Sequence, residues 1–370
     1  MSDYFSGSYP SKDVRFLLKP IHVENTPVHV KEALIQAGKK HYSQMLTHEK
    51  RPSRDYLDLF RRALADNQAR VAKHTLILAK RIIETRGNGV TLVSLVRAGT
   101  PVGVLLKRVL ARYFDVDAEH YSISIIRDIG IDENALHHIL EHHAPASIVF
   151  IDGWTGKGVI SSQLETSLRR FKEKYRIEIP AELYVLSDLA GTASVSASTE
   201  DYLIPSSILN ATVSGLVSRS VIDKKQLRET DYHGCHFYRD YSDADISKGF
   251  VDSIMRVADE IMTQPASPHF DPELRLSGER LPKQVLRERS RQFLAWVRDS
   301  FGIADQNLIK PGIGESTRVL LRREADLLLV RKREDPAVKH LLYLAETKNI
   351  AIRICPDLPY RSVALIKELT

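Results

Sequence analysis

Cysteine is scarce in this 370-residue chain, with only Cys235 and Cys355, far apart in sequence. So small a supply excludes a disulfide framework and points to a reducing compartment. Long apolar runs are missing too: no stretch approaches the ~20 residues that a membrane-spanning helix needs. The opening MSDYFSGSYPSKD has neither the charged start nor the apolar centre of a secretion signal. A cytoplasmic protein is therefore expected. Internal repeats and low-complexity tracts are absent. What is present is ordinary globular material, 43% hydrophobic and 27% charged, enough to bury a core and to exclude a disordered tail. The length favours two domains. A formal charge of +6 suits a protein that meets polyanions or phosphorylated metabolites, without choosing between them.

Hydrophobic spacing divides the chain. Residues 56–85 carry apolar positions at helical intervals, and GVTLVSLV then reads as a buried strand. Helix-like PVGVLLKRVLARYF, strand-like HYSISII, helix-like DENALHHILEHH, strand SIVFI, helix VISSQLETSLRRF and strand ELYVLS follow in turn. This βα alternation predicts an α/β fold with a parallel sheet covered by helices. The proline-rich TQPASPHFDPELRLSGERLP breaks it, and the basic KQVLRERSRQFLAWVRDSF leads into a last unit. The expected division is 1–262, a linker and connecting helix over 263–300, and 301–370. The last unit reads as helix, strand, helix, strand, helix, a small α/β/α module.

Two turns carry the chemistry. IVFIDGWTGKGVI reads as strand, phosphate-sized turn and helix, with the strand closing on a lone aspartate, Asp152. Gly153, Gly156 and Gly158 permit close approach, Thr155 offers a hydroxyl, and a helix from Val159 would turn its positive end towards an anion. Asp152 is placed to grip ribose hydroxyls or a hydrated metal. A Walker loop is excluded, because the position five before Gly156 is Ile151 and Gly158 stands where its hydroxyl residue belongs. The second turn, Arg97, Ala98, Gly99 and Thr100 in VSLVRAGTPVG, repeats the geometry one unit earlier, with Pro101 at a first helical position. Arg127 and Asp128 follow a third strand end. Two anion turns on neighbouring strands suit a ligand with phosphates at both ends.

LVRAGTPVG and VFIDGWTGKG together resemble the pyrophosphate and phosphoribosyl-pyrophosphate loops of type I phosphoribosyltransferases. GSYPSKDVRFLLKPI, HYSQML and DYLIPSSILNATVSGLVSRS look like the phosphoribosyltransferase family of bacterial tellurite-resistance and stress operons, whose members have also been labelled cysteine protease StiP. The likeness covers residues 1 to about 260. It implies a transferase that uses phosphoribosyl pyrophosphate and Mg²⁺ to ribosylate a base or nucleoside-like acceptor. Arg97, Ala98, Gly99 and Thr100 would bind pyrophosphate and its magnesium, often with a strained peptide. Asp152 would hold the ribose hydroxyls and the metal. Gly153 and Trp154 with Thr155, Gly156, Lys157 and Gly158 would cradle the 5′-phosphate, and Arg127 with Asp128 would close over the pyrophosphate. An acceptor would enter near Asp188. Most such enzymes have two adjacent acids at this strand end and a slightly longer turn, where Ile151, Asp152 and Gly153 give one acid and a shorter turn.

The last unit resembles the Pelota-type RNA-binding domain, in which a Gly-x-x-Glu-x-x-basic stretch opens the first helix. Gly312, Glu315 and Arg318 match it, and Gly314 lies in the same turn. Structured RNA is thus an expected partner, and self-association is left open. Three other readings compete with the transferase. The first is a non-catalytic protein that senses phosphoribosyl pyrophosphate and reports through RNA. The second is a cysteine protease using Cys235 between His233 and His236. The third is a zinc hydrolase at HILEH, with His138 and His142 as ligands and Glu141 as base.

Overall fold

Runs such as TLVSL and IVFI have aliphatic and aromatic residues on both sides of the pleat, as strands covered on both faces must. The computed structural model describes residues 5–263, 281–303 and 305–367. Six parallel strands form the main sheet, in the order Arg15–Leu17, Glu119–Ile123, Thr91–Leu95, Ile148–Thr155, Leu183–Asp188, Val195–Ser198. Alternate residues go to opposite sides. Leu92, Val149 and Tyr184 meet Leu76 and Leu105 of the helices Arg54–Arg86 and Gly99–Tyr113. Their neighbours Val93, Phe150 and Val185 meet Leu136 of Glu133–Leu140 and Leu164 and Phe171 of Val159–Tyr175. The expected helix-covered parallel sheet is what the chain forms.

Three local expectations change. HYSISII breaks at Ser124, because Ile125–Ile126 leaves the sheet to pair antiparallel with Gly130–Ile131, so Arg127 and Asp128 lie in a hairpin turn. The strand expected to end at Asp152 runs on to Thr155, since Trp154 and Thr155 still pair with Ser187 and Asp188. Pro101 is the third helical residue rather than the first, the helix opening at Gly99.

The last unit is strand, helix, strand, helix, strand, strand. Its mixed sheet runs Ile309–Pro311, Ser362–Ile366, Ala325–Val330, Ala351–Ile354, with helices Ile313–Arg322 and Lys339–Thr347. SVALI, expected as helix, is an inner strand with every residue buried. A five-residue apolar run has no period that separates the two states.

Residues 264–280 of the expected linker lie outside the described residues. The connecting helix Lys283–Phe301 touches both units: Arg287 donates to the Gly191 carbonyl (2.7 Å), and the Tyr360 hydroxyl donates to Ser290 (2.9 Å). One buried apolar cluster runs from Leu76 and Leu105 through Phe293 to Leu328 and Val363, so the two sheets share a core. At Gly191 the chain is left-handed (φ 69°), and an added Cβ would lie 2.4 Å from the Lys283 carbonyl oxygen. Gly191→Ala should therefore lift the start of the connecting helix and cost roughly 1–2 kcal/mol from the backbone conformation alone. Hydrogen exchange along Lys283–Phe301 reads this as faster exchange, and parent-like protection would contradict it.

Candidate functional site: a cationic cleft between the two sheets

The strand ends of the main sheet face the first helix of the small unit across a cavity of 1090 Å³. Eleven lysines and arginines line it against five aspartates and glutamates, an excess as large as the formal charge of the whole chain.

The floor is the DGWTGKG stretch. Asp152 accepts the Gly153 N–H (2.7 Å), and burial pushes its carboxyl up to about 7 in spite of that bond and the nearby Arg318. Trp154 is half-buried beneath the small unit. The Thr155 hydroxyl is committed elsewhere: it donates to Asp188 (2.5 Å), which also accepts the Thr192 and Ala193 N–H groups. Asp188 thus ties the turn together from inside and is not at the mouth of an acceptor site, since both oxygens are used within the fold. Gly156 is next to Glu315 and the Pro311 carbonyl. Lys157 donates to the Gln306 carbonyl (2.5 Å), and burial, reinforced by Lys310, draws its amine down to about 7. Gly158 is left-handed (φ 81°) and caps Val159–Tyr175 with no side-chain bond, leaving that helix's first N–H groups facing the cleft.

The other expected residues divide. Arg97 lines the cleft but pairs with Glu49 and donates to the Val217 carbonyl (3.1 Å), and the Val96–Arg97 peptide is cis. Ala98 also lines the cleft. Gly99 is pressed against the Ile151 carbonyl, and the Thr100 hydroxyl is buried on Ser122 (2.7 Å), so neither reaches the ligand space. Arg127 reaches it, donating to Asn307 (2.7 Å) and lying over Tyr42. Asp128 is exposed and faces His41 (3.8 Å), outside the cleft.

The roof comes from the small unit. Gly312 N–H donates to the Ser362 carbonyl (2.8 Å), and Ile313 N–H donates to Asp201 (2.8 Å). Gly314 lies on the Trp154 indole, which a Cβ would approach to 3.4 Å. Glu315 pairs with Arg318 (3.1 Å), whose guanidinium covers the Trp154 ring at 4.9 Å. The turn expected to face RNA therefore faces the DGWTGKG turn of the large unit. Sequence reasoning missed Lys310, Arg322, Arg219, Tyr42 and Asp201; the last three lie in the stretches HYSQML and DYLIPSSILNATVSGLVSRS that carried the family likeness, whereas no periodicity or motif marked Lys310 or Arg322. Arg322 donates to the Ser207 and Ile208 carbonyls, and Arg219 to those of Tyr42 and Met45.

The competing constellations lie elsewhere. Cys235, on the two-residue strand Gly234–Cys235, is fully buried, and burial pushes its thiol well above the ordinary range. Its neighbour His233 bonds Ser124 (2.7 Å), while the His236 Nδ1 has no hydrogen-bond partner. The half-buried Cys355 thiol is also raised by burial. In HILEH, the His138 ring bonds the Tyr232 hydroxyl (3.0 Å), and His142 lies beyond the end of Glu133–Leu140. No group of three residues able to hold a metal occurs among the described residues.

A family model described as "Tellurite-like stress resistance cysteine protease StiP" matches residues 7–255, and one described as "PELOTA RNA binding domain" matches residues 288–368. A curated relative from Acinetobacter baylyi, named cysteine protease StiP, is 39% identical over 99% of this chain and 95% of its own length. Among solved structures, the Helicobacter pylori xanthine-guanine-hypoxanthine phosphoribosyltransferase is 22% identical over 34% of this chain and 79% of its own, with a TM-score of 0.26. The Trypanosoma cruzi hypoxanthine phosphoribosyltransferase is 15% identical over 35% and 77%, also at 0.26. Scores so low say nothing of chemistry. The expectation of a phosphoribosyltransferase is thus corrected: the relative that spans nearly the whole chain is named a protease, a hydrolase, and not a pentosyl transferase. The chain belongs to the StiP family of tellurite-like stress resistance proteins and carries a PELOTA RNA-binding domain behind the StiP region.

Proposed function

We propose that this chain is a two-module stress-resistance protein that binds a phosphate-bearing ligand in the cationic cleft, with phosphoribosyl pyrophosphate one member of that ligand class. The observation that carries the reading is the pair Lys157 and Lys310. They come from opposite units into one cleft, neither has an ion-pair partner among the described residues, and burial lowers the proton affinity of both. An anion between them would be held by two ammonium groups, by Arg127, and by the open N–H groups at Gly158 and the start of Val159–Tyr175.

A magnesium ion fits only as one carried by the ligand. Glu49, Glu315 and Glu32 are paired with Arg97, Arg318 and Arg323, which leaves Asp152 and Asp305, the latter accepting from Asn307 through one oxygen, as the carboxylates able to touch it. Such an ion would neutralise phosphate charge, as magnesium does when one carboxylate and the ligand's phosphates share it.

Inorganic pyrophosphate tests the site. Calorimetry should show binding by the parent, weakened by Lys157→Gln and by Lys310→Gln through loss of a charge-assisted hydrogen bond, about 1–3 kcal/mol each. No binding by the parent, or parent-like binding by both variants, would remove the site.

The pH dependence has a definite sign. Lys157, faced by Lys310, Arg127, Glu315 and Asp305, gains its charge as pH falls through about 7. Asp152, faced by Arg318 and Glu315, loses its charge over the same range. Both changes favour an anion. Affinity for sulfate, whose own charge is fixed, should rise at least about tenfold from pH 8 to pH 6, corresponding to one pKa-linked proton. A flat profile would show that neither group faces the ligand.

A second reading, a cysteine peptidase, is favoured by the relative's name and by His236, whose free Nδ1 is one residue from Cys235. In this conformation the thiol is enclosed and protonated, so attack would require the pairing of Gly234–Cys235 with Lys19–Pro20 to open. Iodoacetamide should therefore label native Cys355 and spare Cys235 until denaturation. Rapid native labelling of Cys235, with peptide cleavage abolished by Cys235→Ser, would establish the peptidase instead.

A further inference from the structure

The small unit matches an RNA-binding domain, yet much of its basic equipment is turned inward. Lys310, Arg318, Arg322 and Arg323, from one helix and the segments flanking it, all line the cleft. Arg318 is laid over Trp154, Arg322 is bonded to two carbonyls of the large unit, and Arg323 is paired with Glu32. The helix start is closed as well: the Asp201 carboxylate takes the Ile313 N–H and the Arg361 N–H, both at 2.8 Å. Leu189 lies against Gly312, so that even a Cβ there would come within 2.7 Å of its Cδ1. A polyanion as thick as a folded RNA cannot reach these groups while the units are docked.

We infer that docking shields this RNA-binding face, and that the phosphate ligand of the cleft and a structured RNA bind in alternation, the ligand to the docked form and the RNA to the undocked one. The inference rests on the proposed ligand site, because the coupling arises there. With the cleft empty of an anion, the charges on Lys157 and Lys310 oppose one another across the joint, offset in part by Glu315 and by the Lys157 bond to the Gln306 carbonyl, and so loosen the docking that Asp201 holds. An anion between them turns that repulsion into two attractions and closes the joint. Linkage then requires that RNA, which selects the open form, lowers affinity for the anion by the same factor as the anion lowers affinity for RNA. Asp201 acts as a positioning residue: it touches neither ligand and sets how often the face is exposed.

The test uses the full chain, a fluorescein-labelled kink-turn RNA and inorganic pyrophosphate. Saturating pyrophosphate should weaken RNA binding by the parent at least about fivefold, within the usual range of coupling between sites. Asp201→Ala, in the absence of pyrophosphate, should bind RNA more tightly than the parent. That increase separates shielding from simple competition, because an RNA lodged in the closed cleft would not gain from loss of the latch. Hydrogen exchange at the Ile313 amide of the parent provides a readout independent of the variant: slower exchange with pyrophosphate, faster with RNA. RNA affinity unchanged by bound pyrophosphate and by Asp201→Ala would overturn the inference while leaving the ligand site standing, as would an RNA that neither protein binds. Absence of pyrophosphate binding would instead sink the ligand site, and the coupling with it.

Discussion

Asp201 supplies the contact on which the geometry of the cleft depends. It lies in the chain after the last strand of the main sheet, and its two oxygens accept N–H groups from the first helix and the last connection of the small unit. Burial raises its carboxyl to about 6 against the pull of those bonds and of Arg361 and Arg331. A half-buried carboxylate satisfied by backbone N–H groups fixes the position of what it holds, whatever its net contribution to stability. What it holds is the roof: Gly312, Gly314 and Glu315 come down on Trp154 and Gly156, and a cleft exists because two units meet there.

Charge follows from that arrangement. Cations gathered from both units are partly desolvated in one space, which disfavours their charged forms. Some are compensated within the fold by carboxylates, Arg97 by Glu49, Arg323 by Glu32 and Arg318 by Glu315. Lys157 and Lys310 have no ion pair among the described residues, and burial lowers their proton affinity as it lowers that of Lys31, Arg219 and Arg322. An arrangement that costs free energy without a ligand is the usual mark of a binding site rather than of a structural salt-bridge network.

Much of the large unit was legible because its strands are apolar on both faces and its helices keep one stripe, so that Leu92, Val149 and Tyr184 could be expected to separate from Val93, Phe150 and Val185. The two strand-to-helix turns were legible as backbone, since glycines at such junctions permit close approach and a left-handed residue, as at Gly99 and Gly158. The use made of each side chain was not. Thr155 and Thr100 look like ligand hydroxyls in sequence, yet each is within reach of an internal partner, Asp188 and Ser122, that only the fold brings near. Arg127 and Asp128 are adjacent, but a hairpin turn sends one into the cleft and the other to solvent. SVALI was misread because five buried residues have no period. Lys310, Arg322 and Asp201 matter through contacts between units more than a hundred residues apart, which no local pattern records. The activity was misassigned for a related reason: likeness at two loops was extended to a reaction, whereas the relative spanning the chain carries the name of a protease.

The account stands on the claim that Lys157 is a half-buried amine awaiting an anion. Its proton equilibrium can be followed by NMR of lysine labelled with ¹³C at Cε, assigned by Lys157→Gln, with and without saturating pyrophosphate. The account predicts titration near 7 in the free protein and a rise of two units or more, to about 9 or above, once the anion is bound. An amine that titrates near the ordinary lysine value of about 10.4 in the free protein and does not move when pyrophosphate is added would contradict it.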